Sequence, residues 1–425
     1  MRRQSLEWEG WRFAAAMAAV GVAGCAFLSF VLPILLGDRA WAMSGDVWWT
    51  VNSAQYVSYG GAGIVYAANP FYSALPGFPY LLAPLVALGD ALHLSVSQPY
   101  WLPYPKMWLL VGPFFFVCGS TVVLGVDYLA DTLAIARRRR RWLCAAVTVL
   151  VVWPTPGLAG HPEDLLALAL ACVSFALLFR GRLTGAALVL SAAVIFQTWA
   201  GLLIPVLIAA SPPGRRVAAL LRSSLAPASL GLALLALDYK HASRDLLGQP
   251  MPNRGQLLPW HLIAGHISVT VGGSSTPMMV GSTSRSAAVV VAVLAAVAIR
   301  RRAEPRLVMA AAAAALFARG FFETEFWPYY LAPAAVFLAL LVAEATAGSA
   351  RRLAVGSAGA CLLYFSAPLS YLGIAYNDFL ALAVMTACGS LCFGAARPVL
   401  DAAGRVVKLP YAKASTTLTS SGLRS

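Results

Sequence analysis

Charge is scarce in this chain. Only 11% of its 425 residues are Asp, Glu, Lys or Arg, against about 25% in a water-soluble protein. So few charges cannot cover a soluble globule, so lipid must solvate most of the surface. The cysteines offer no framework either. All seven (Cys25, Cys118, Cys144, Cys172, Cys361, Cys388, Cys392) fall in apolar segments and none forms a C-x-x-C pair. That argues against a disulfide scaffold or a zinc ribbon and leaves them as small packing residues. An internal repeat is missing, which weakens a transporter built from inverted halves. No soluble-domain stretch interrupts the apolar segments that recur from Phe13 to Ala396.

What is present is apolar and basic: 60% of residues are hydrophobic, the mean hydropathy is +0.74 and the net charge is +14. On a soluble protein that charge would suggest nucleic acid. Here it sits in short clusters between apolar segments: Arg2-Arg3, Arg137 to Arg141, Arg180/Arg182, Arg215/Arg216/Arg222, Arg300 to Arg302 and Arg351/Arg352. Cytoplasmic loops of membrane proteins carry this pattern, so no nucleic-acid partner is expected.

The expected fold is all-α, a polytopic transmembrane bundle of about 10–12 segments, short or re-entrant ones included, at about 20 apolar residues per crossing. Clear candidates are 13–36, 106–130, 142–158, 163–179, 224–237, 286–299, 306–320, 327–345, 353–371 and 378–396. The first ends before Ala40-Trp41-Ala42, which mimics a signal-peptidase site. It exceeds the ~7–15 residues of a signal-peptide core and reads as a retained helix. Residues 1–400 form one membrane domain, and 401–425 read as a basic, disordered cytoplasmic tail.

Placing every arginine cluster inside forces two irregularities. Segment 184–210 is basic at both ends and should break, with Gly201 and Pro205 as the place; segment 76–92, with Pro76, Pro79 and Pro84, is too short to cross fully. Broken helices at membrane depth line a protein-enclosed or wet cavity. The outer loops are then 37–75 and 238–285, with short turns near 159–162 and 321–326. All five histidines fall outside or near that edge, so the outer face is where function is sought.

Three places there carry chemistry. In the first outer loop Asp46 stands beside Trp48 and Trp49, with Tyr56, Tyr59 and Tyr66 following. A carboxylate against an aromatic wall has a raised pKa and serves as a proton acceptor, while aromatic rings suit sugars; the plainer account is an interfacial aromatic belt with a helix-capping Asp. In Gly160 to Leu170, His161, Glu163 and Asp164 open an apolar helix with Pro162 in its first turn. Capping explains Asp164 alone, and as metal ligands the three make a weak signature. In Ala318 to Tyr330, Arg319 either pairs with Glu323 at i, i+4 or binds a lipid phosphate. Gln197 and Trp199 lie at the bend of 184–210 and face the same cavity.

In this order the features resemble the GT-C superfamily of membrane glycosyltransferases, most closely glycosyltransferase family 87, which includes polyprenyl-phosphomannose-dependent mannosyltransferases. The resemblance rests on Asp46, the tyrosines after it, the run Pro76 to Pro84, the motif Gly160 to Asp164, and Gln197 before Pro205. It implies inverting transfer of mannose or another sugar from a polyprenyl-phosphate donor to a lipid or glycan acceptor outside the plasma membrane. Asp46 would be the base, and Arg319, with His261 and His266, would meet the leaving phosphate. It implies no nucleotide or metal cofactor, since the donor is lipid-linked. Many relatives carry Gly-Gln-x-Asn where this chain has Gly-His-Pro-Glu-Asp, so donor or acceptor differs from the mannosyl case. The alternative is a transporter or flippase of polyprenyl-linked sugars, which predicts ionisable residues near the bilayer midplane; a scaffold with a degenerate site is a third.

Overall fold

The computed structural model of the chain describes residues 2–35, 45–61, 63, 65–68, 74–94, 105–247, 269–271, 274–276, 278–301, 304–322 and 328–344. The described elements are helices, apart from one antiparallel pair of three-residue strands, β1 (Val269–Val271) and β2 (Ser274–Thr276). The expected segments 353–371 and 378–396 and the tail 401–425 lie outside the described residues.

Helix α1 covers Arg2–Ala26 and continues through a π turn, Phe27–Val31, to Leu35. Then come α2 (Gly45–Ser58), the single turn α3 (Val65–Ala68), α4 (Gly77–Ala91) and α5 (Lys106–Thr132). Two short helices thus occupy part of what reads in the sequence as the outer loop 37–75. Next is α6 (Arg137–Val147), extended by π turns at Thr148–Val152 and Thr155–Ala159. Pro154 and Pro156 remove amides from this stretch, and a widened helical turn is one way of absorbing that loss.

Helix α7 (Pro162–Phe179) precedes α8 (Leu183–Phe196). The expected break in 184–210 is present and opens at Gln197, the expected bend, whose backbone is extended; a 3₁₀ turn, Thr198–Leu203, which contains Gly201, then leads into α9 (Ile204–Ala210). Helices α10 (Arg216–Leu237) and α11 (Tyr239–Leu247) precede the strands, and α12 (Met278–Ile299), α13 (Pro305–Phe322) and α14 (Ala332–Glu344) follow.

Among the described residues, four helical stretches are long and apolar enough to cross a membrane: Trp11–Leu35, Lys106–Thr132, Pro162–Phe179 and Pro213–Leu237. Helix α4, at 15 residues, falls short of a full span, as its prolines suggest. The middle of the bundle is the α5–α7 pair, with α1 against α5 and α8 against α7. A side chain at Gly125 of α5 would put its Cβ 2.7 Å from the Ala169 carbonyl oxygen of α7. Two backbones this close tolerate glycine alone, the device by which helices associate in lipid.

Polar groups gather at the two ends of α7. At its C-terminal end Arg140 reaches Asp127 at 2.9 Å and also pairs with Asp131. Arg180 joins them, 3.2 Å from Asp131 and donating to the Tyr128 and Thr132 hydroxyls. At its N-terminal end lie His161, Glu163 and Asp164. At 1.5 Å rise per residue, 18 residues put the ends about 27 Å apart, close to the thickness of a bilayer core.

Candidate functional site

Gly160 sets up the site. Its φ of +81° ends the π turn in the left-handed region, where a side chain would be strained. The N–H groups of Gly160 and His161 both donate to the Thr155 carbonyl oxygen, at 2.8 and 3.3 Å. Pro162 then starts α7 with a fixed φ and no amide to satisfy. The chain therefore turns sharply at His161, which leaves its ring free to meet other elements, while Glu163 and Asp164 lie buried in the first turn of α7.

The His161 ring joins two carboxylates. Nδ1 lies 2.9 Å from Glu163 Oε1, and Nε2 lies 3.0 Å from Oδ2 of Asp46, which stands in the first turn of α2. Two helix N-termini thus converge here, each with its acids in the region of partial positive charge. On its flank His161 stacks against Tyr329, with ring centroids 4.2 Å apart and an interplanar angle of 24°.

Asp164 is the buried anchor, its side chain 1% exposed. Its Oδ1 accepts from Trp199 Nε1 at 2.6 Å and from an Arg319 amine at 3.5 Å; its Oδ2 accepts from Gln197 Nε2 at 3.4 Å. The break at Gln197 is what turns these two donors, two residues apart, onto one carboxylate. Arg319, in the last turn of α13, also lies over the Tyr330 ring at 4.3 Å. Tyr330 in turn meets Tyr329 edge to face at 4.8 Å. Segments near residues 46, 161–164, 197–199, 319 and 329–330 therefore meet in one cluster.

The electrostatics reverse one sequence expectation. Burial pushes the Asp46 carboxyl up, but the hydrogen bond and charge of His161 outweigh it and hold Asp46 below the usual carboxylate range. Its side chain is 58% exposed, not sunk in an aromatic wall. Burial pushes the His161 imidazole down; the hydrogen bonds to Asp46 and Glu163 and their charges prevail and raise it to about 10.

The other expected residues separate into three groups. Trp48 and Trp49 lie within one turn of Asp46, ring to ring at 4.5 Å. Tyr56 and Tyr59 do not join the cluster: α2 is a helix rather than a loop, and at 1.5 Å per residue they fall about 15 and 20 Å along it from Asp46. Tyr59 instead donates to Asp90 at 3.1 Å, which also accepts from Gln55. His261, His266 and Glu323 lie outside the described residues. Tyr329 and Tyr330 are the residues that sequence reasoning passed over; their place at the end of the same Ala318 to Tyr330 stretch as Arg319 was the available signal. Glu163 Oε2 is buried and meets no hydrogen-bond partner among the described residues.

No protein-family model, curated protein or solved structure matches this chain.

Proposed function

We propose that the protein is a multi-pass membrane glycosyltransferase. It moves a sugar from a polyprenyl-phosphate donor to a lipid or glycan acceptor, with the Asp46 end of the bundle facing out. The observation that carries this reading is the 3.0 Å contact between Asp46 and His161. It sets an exposed, ionised carboxylate beside a site that also holds an arginine and stacked aromatic rings. The orientation follows from the arginine clusters at the opposite end of α7, because basic loops stay in the cytoplasm.

In the proposed step an acceptor hydroxyl gives its proton to Asp46 while its oxygen attacks the anomeric carbon. The carbon–oxygen bond to the lipid phosphate breaks and the configuration inverts. The departing phosphate takes the electron pair, and Arg319 meets the developing charge at the headgroup level. His161 keeps Asp46 ionised and aimed, so the base is ready without reorganisation. Tyr329, Tyr330, Trp48 and Trp49 offer faces for sugar rings.

The test is transfer from labelled polyprenyl-phosphate sugars in membranes carrying the protein, read as labelled lipid products. Asp46→Asn is expected to lower the rate by about 10²–10⁴-fold, the usual worth of a general base, with expression intact. An unchanged rate removes Asp46 as the base, and no product from any such donor removes the reading.

A further inference from the structure

The transfer step uses Asp46, its partner His161 and Arg319, and leaves Glu163 and Asp164 on the buried side of the cluster without a task. There His161 Nδ1 lies 2.9 Å from Glu163 Oε1 and 3.9 Å from Asp164 Oδ2. One donor atom from each of these three residues lies within 4.8 Å of the others. Glu163 is 6% exposed and directs its carboxylate at the ring, yet its Oε2 has no hydrogen-bond partner among the described residues. A buried carboxylate oxygen left this way is costly, so it calls for a ligand. Three carboxylates, Asp46, Glu163 and Asp164, are gathered around the His161 imidazole and the Arg319 guanidinium.

We propose that His161, Glu163 and Asp164 bind a divalent cation through Nδ1 and one oxygen from each acid, on the side of the imidazole away from Asp46. The surroundings have the form of an outer coordination shell. A metal-bound imidazole donates its other N–H to a carboxylate, and His161 Nε2 faces Asp46 Oδ2 at 3.0 Å. Ligating carboxylates are themselves hydrogen-bonded. Asp164 Oδ1 takes Trp199 and Arg319, while Oδ2, 3.9 Å from the ring Nδ1, takes Gln197. A histidine–carboxylate ion pair accounts for Glu163 Oε1 but not for Oε2. The His241–Asp238 pair, at 2.9 Å, shows the contrast: among the described residues it brings no third donor, and it is more exposed. One imidazole and two carboxylates suit Mn²⁺ or Zn²⁺ better than Ca²⁺, which takes oxygen donors, or Cu⁺, which takes sulfur. The resemblance drawn from the sequence implies no metal; the site argues for one on its own atoms. Bound through Nδ1, the cation would take the place of the proton there and leave the Nε2–H facing Asp46.

The test uses the full chain, purified in detergent, stripped with EDTA and titrated with Mn²⁺, with free ion read by electron paramagnetic resonance. One saturable site is expected, with Zn²⁺ competing for it. Glu163→Gln is expected to weaken Mn²⁺ binding at least about tenfold, the low end of what losing even an outer-shell partner costs, and Asp238→Asn to leave it unchanged. Absence of saturable binding of both ions to the wild-type chain overturns the proposal, as does unaltered affinity in Glu163→Gln. If that variant cannot be purified, the wild-type titration decides alone. No sugar donor is present, so failure here leaves the transferase reading intact, and failure of sugar transfer leaves the cation site intact.

Discussion

His161 is where residue chemistry and stability meet. Asp46 from α2, Glu163 and Asp164 from α7 and the ring of Tyr329 face it, with Arg319 beyond Asp164. Its folded pKa of about 10 lies above its ordinary value of 6.5. A group raised in this way contributes stability that is complete below the unfolded pKa and is lost as pH climbs toward the folded one. Asp46, held low, does the reverse: its contribution is present above its ordinary pKa and fades as pH falls through the depressed one. With EDTA present throughout, the melting temperature is therefore expected to fall between about pH 7 and 10. His161→Gln should flatten that fall, measured by scanning fluorimetry; an equal slope in both chains would contradict the assignment. At this scale the sequence was partly legible. Residue types at 46, 161–164, 197, 199 and 319 announced chemistry because charge is rare in an apolar chain. The pairing of Asp46 with a histidine 115 positions later was not, since no local spacing encodes it. Tyr329 and Tyr330 were hidden because aromatic residues near a membrane edge are common for other reasons.

Among elements, the close crossing of α5 and α7 makes the sharpest prediction. Gly125→Ala would push a Cβ to 2.7 Å from a backbone oxygen, which no side-chain movement relieves. It is expected to cost about 1–3 kcal/mol, as overpacking does, read as a lower thermal or denaturant midpoint. Gly231 of α10 meets nothing within 4 Å, so Gly231→Ala should be neutral or stabilising. Helix positions were readable here because long apolar runs and basic flanks mark them. The break in 184–210 was readable, with Gln197 and Trp199 at its bend, but the residues named as its weak point are not where it opens. Gly201 and Pro205 are the weak points by backbone propensity, yet the interruption falls where Gln197 and Trp199 turn to Asp164. A buried carboxylate that needs donors overrode local preference. Helices α2 and α3 were missed because Gly, Ser and Tyr in 45–68 read as loop composition, whereas their inward face carries Val47, Val51, Ala54, Val65 and Tyr66, all buried.

For the whole molecule, the arrangement has a sidedness that is open to measurement. Tyr59 is exposed beyond the far end of α2, whereas Arg182 lies next to the arginine-rich end of α7. Cysteine placed at 59 is expected to react with a membrane-impermeant maleimide in intact cells, and cysteine at 182 only after the membrane is opened. The native cysteines among the described residues are buried and should stay silent. Labelling at 182 from outside would invert the orientation and with it the proposed site of transfer.

Helix α7 carries the histidine-and-acid turn at its start and Arg180 just past its end, with no glycine or proline between Glu163 and Phe179 to absorb a change of phase. It acts as a spindle. One residue inserted at its middle would rotate the two ends by about 100° relative to each other. Glu163 and Asp164 would then swing off His161 and Trp199, or Arg180 off Asp131, with every polar side chain still in the sequence.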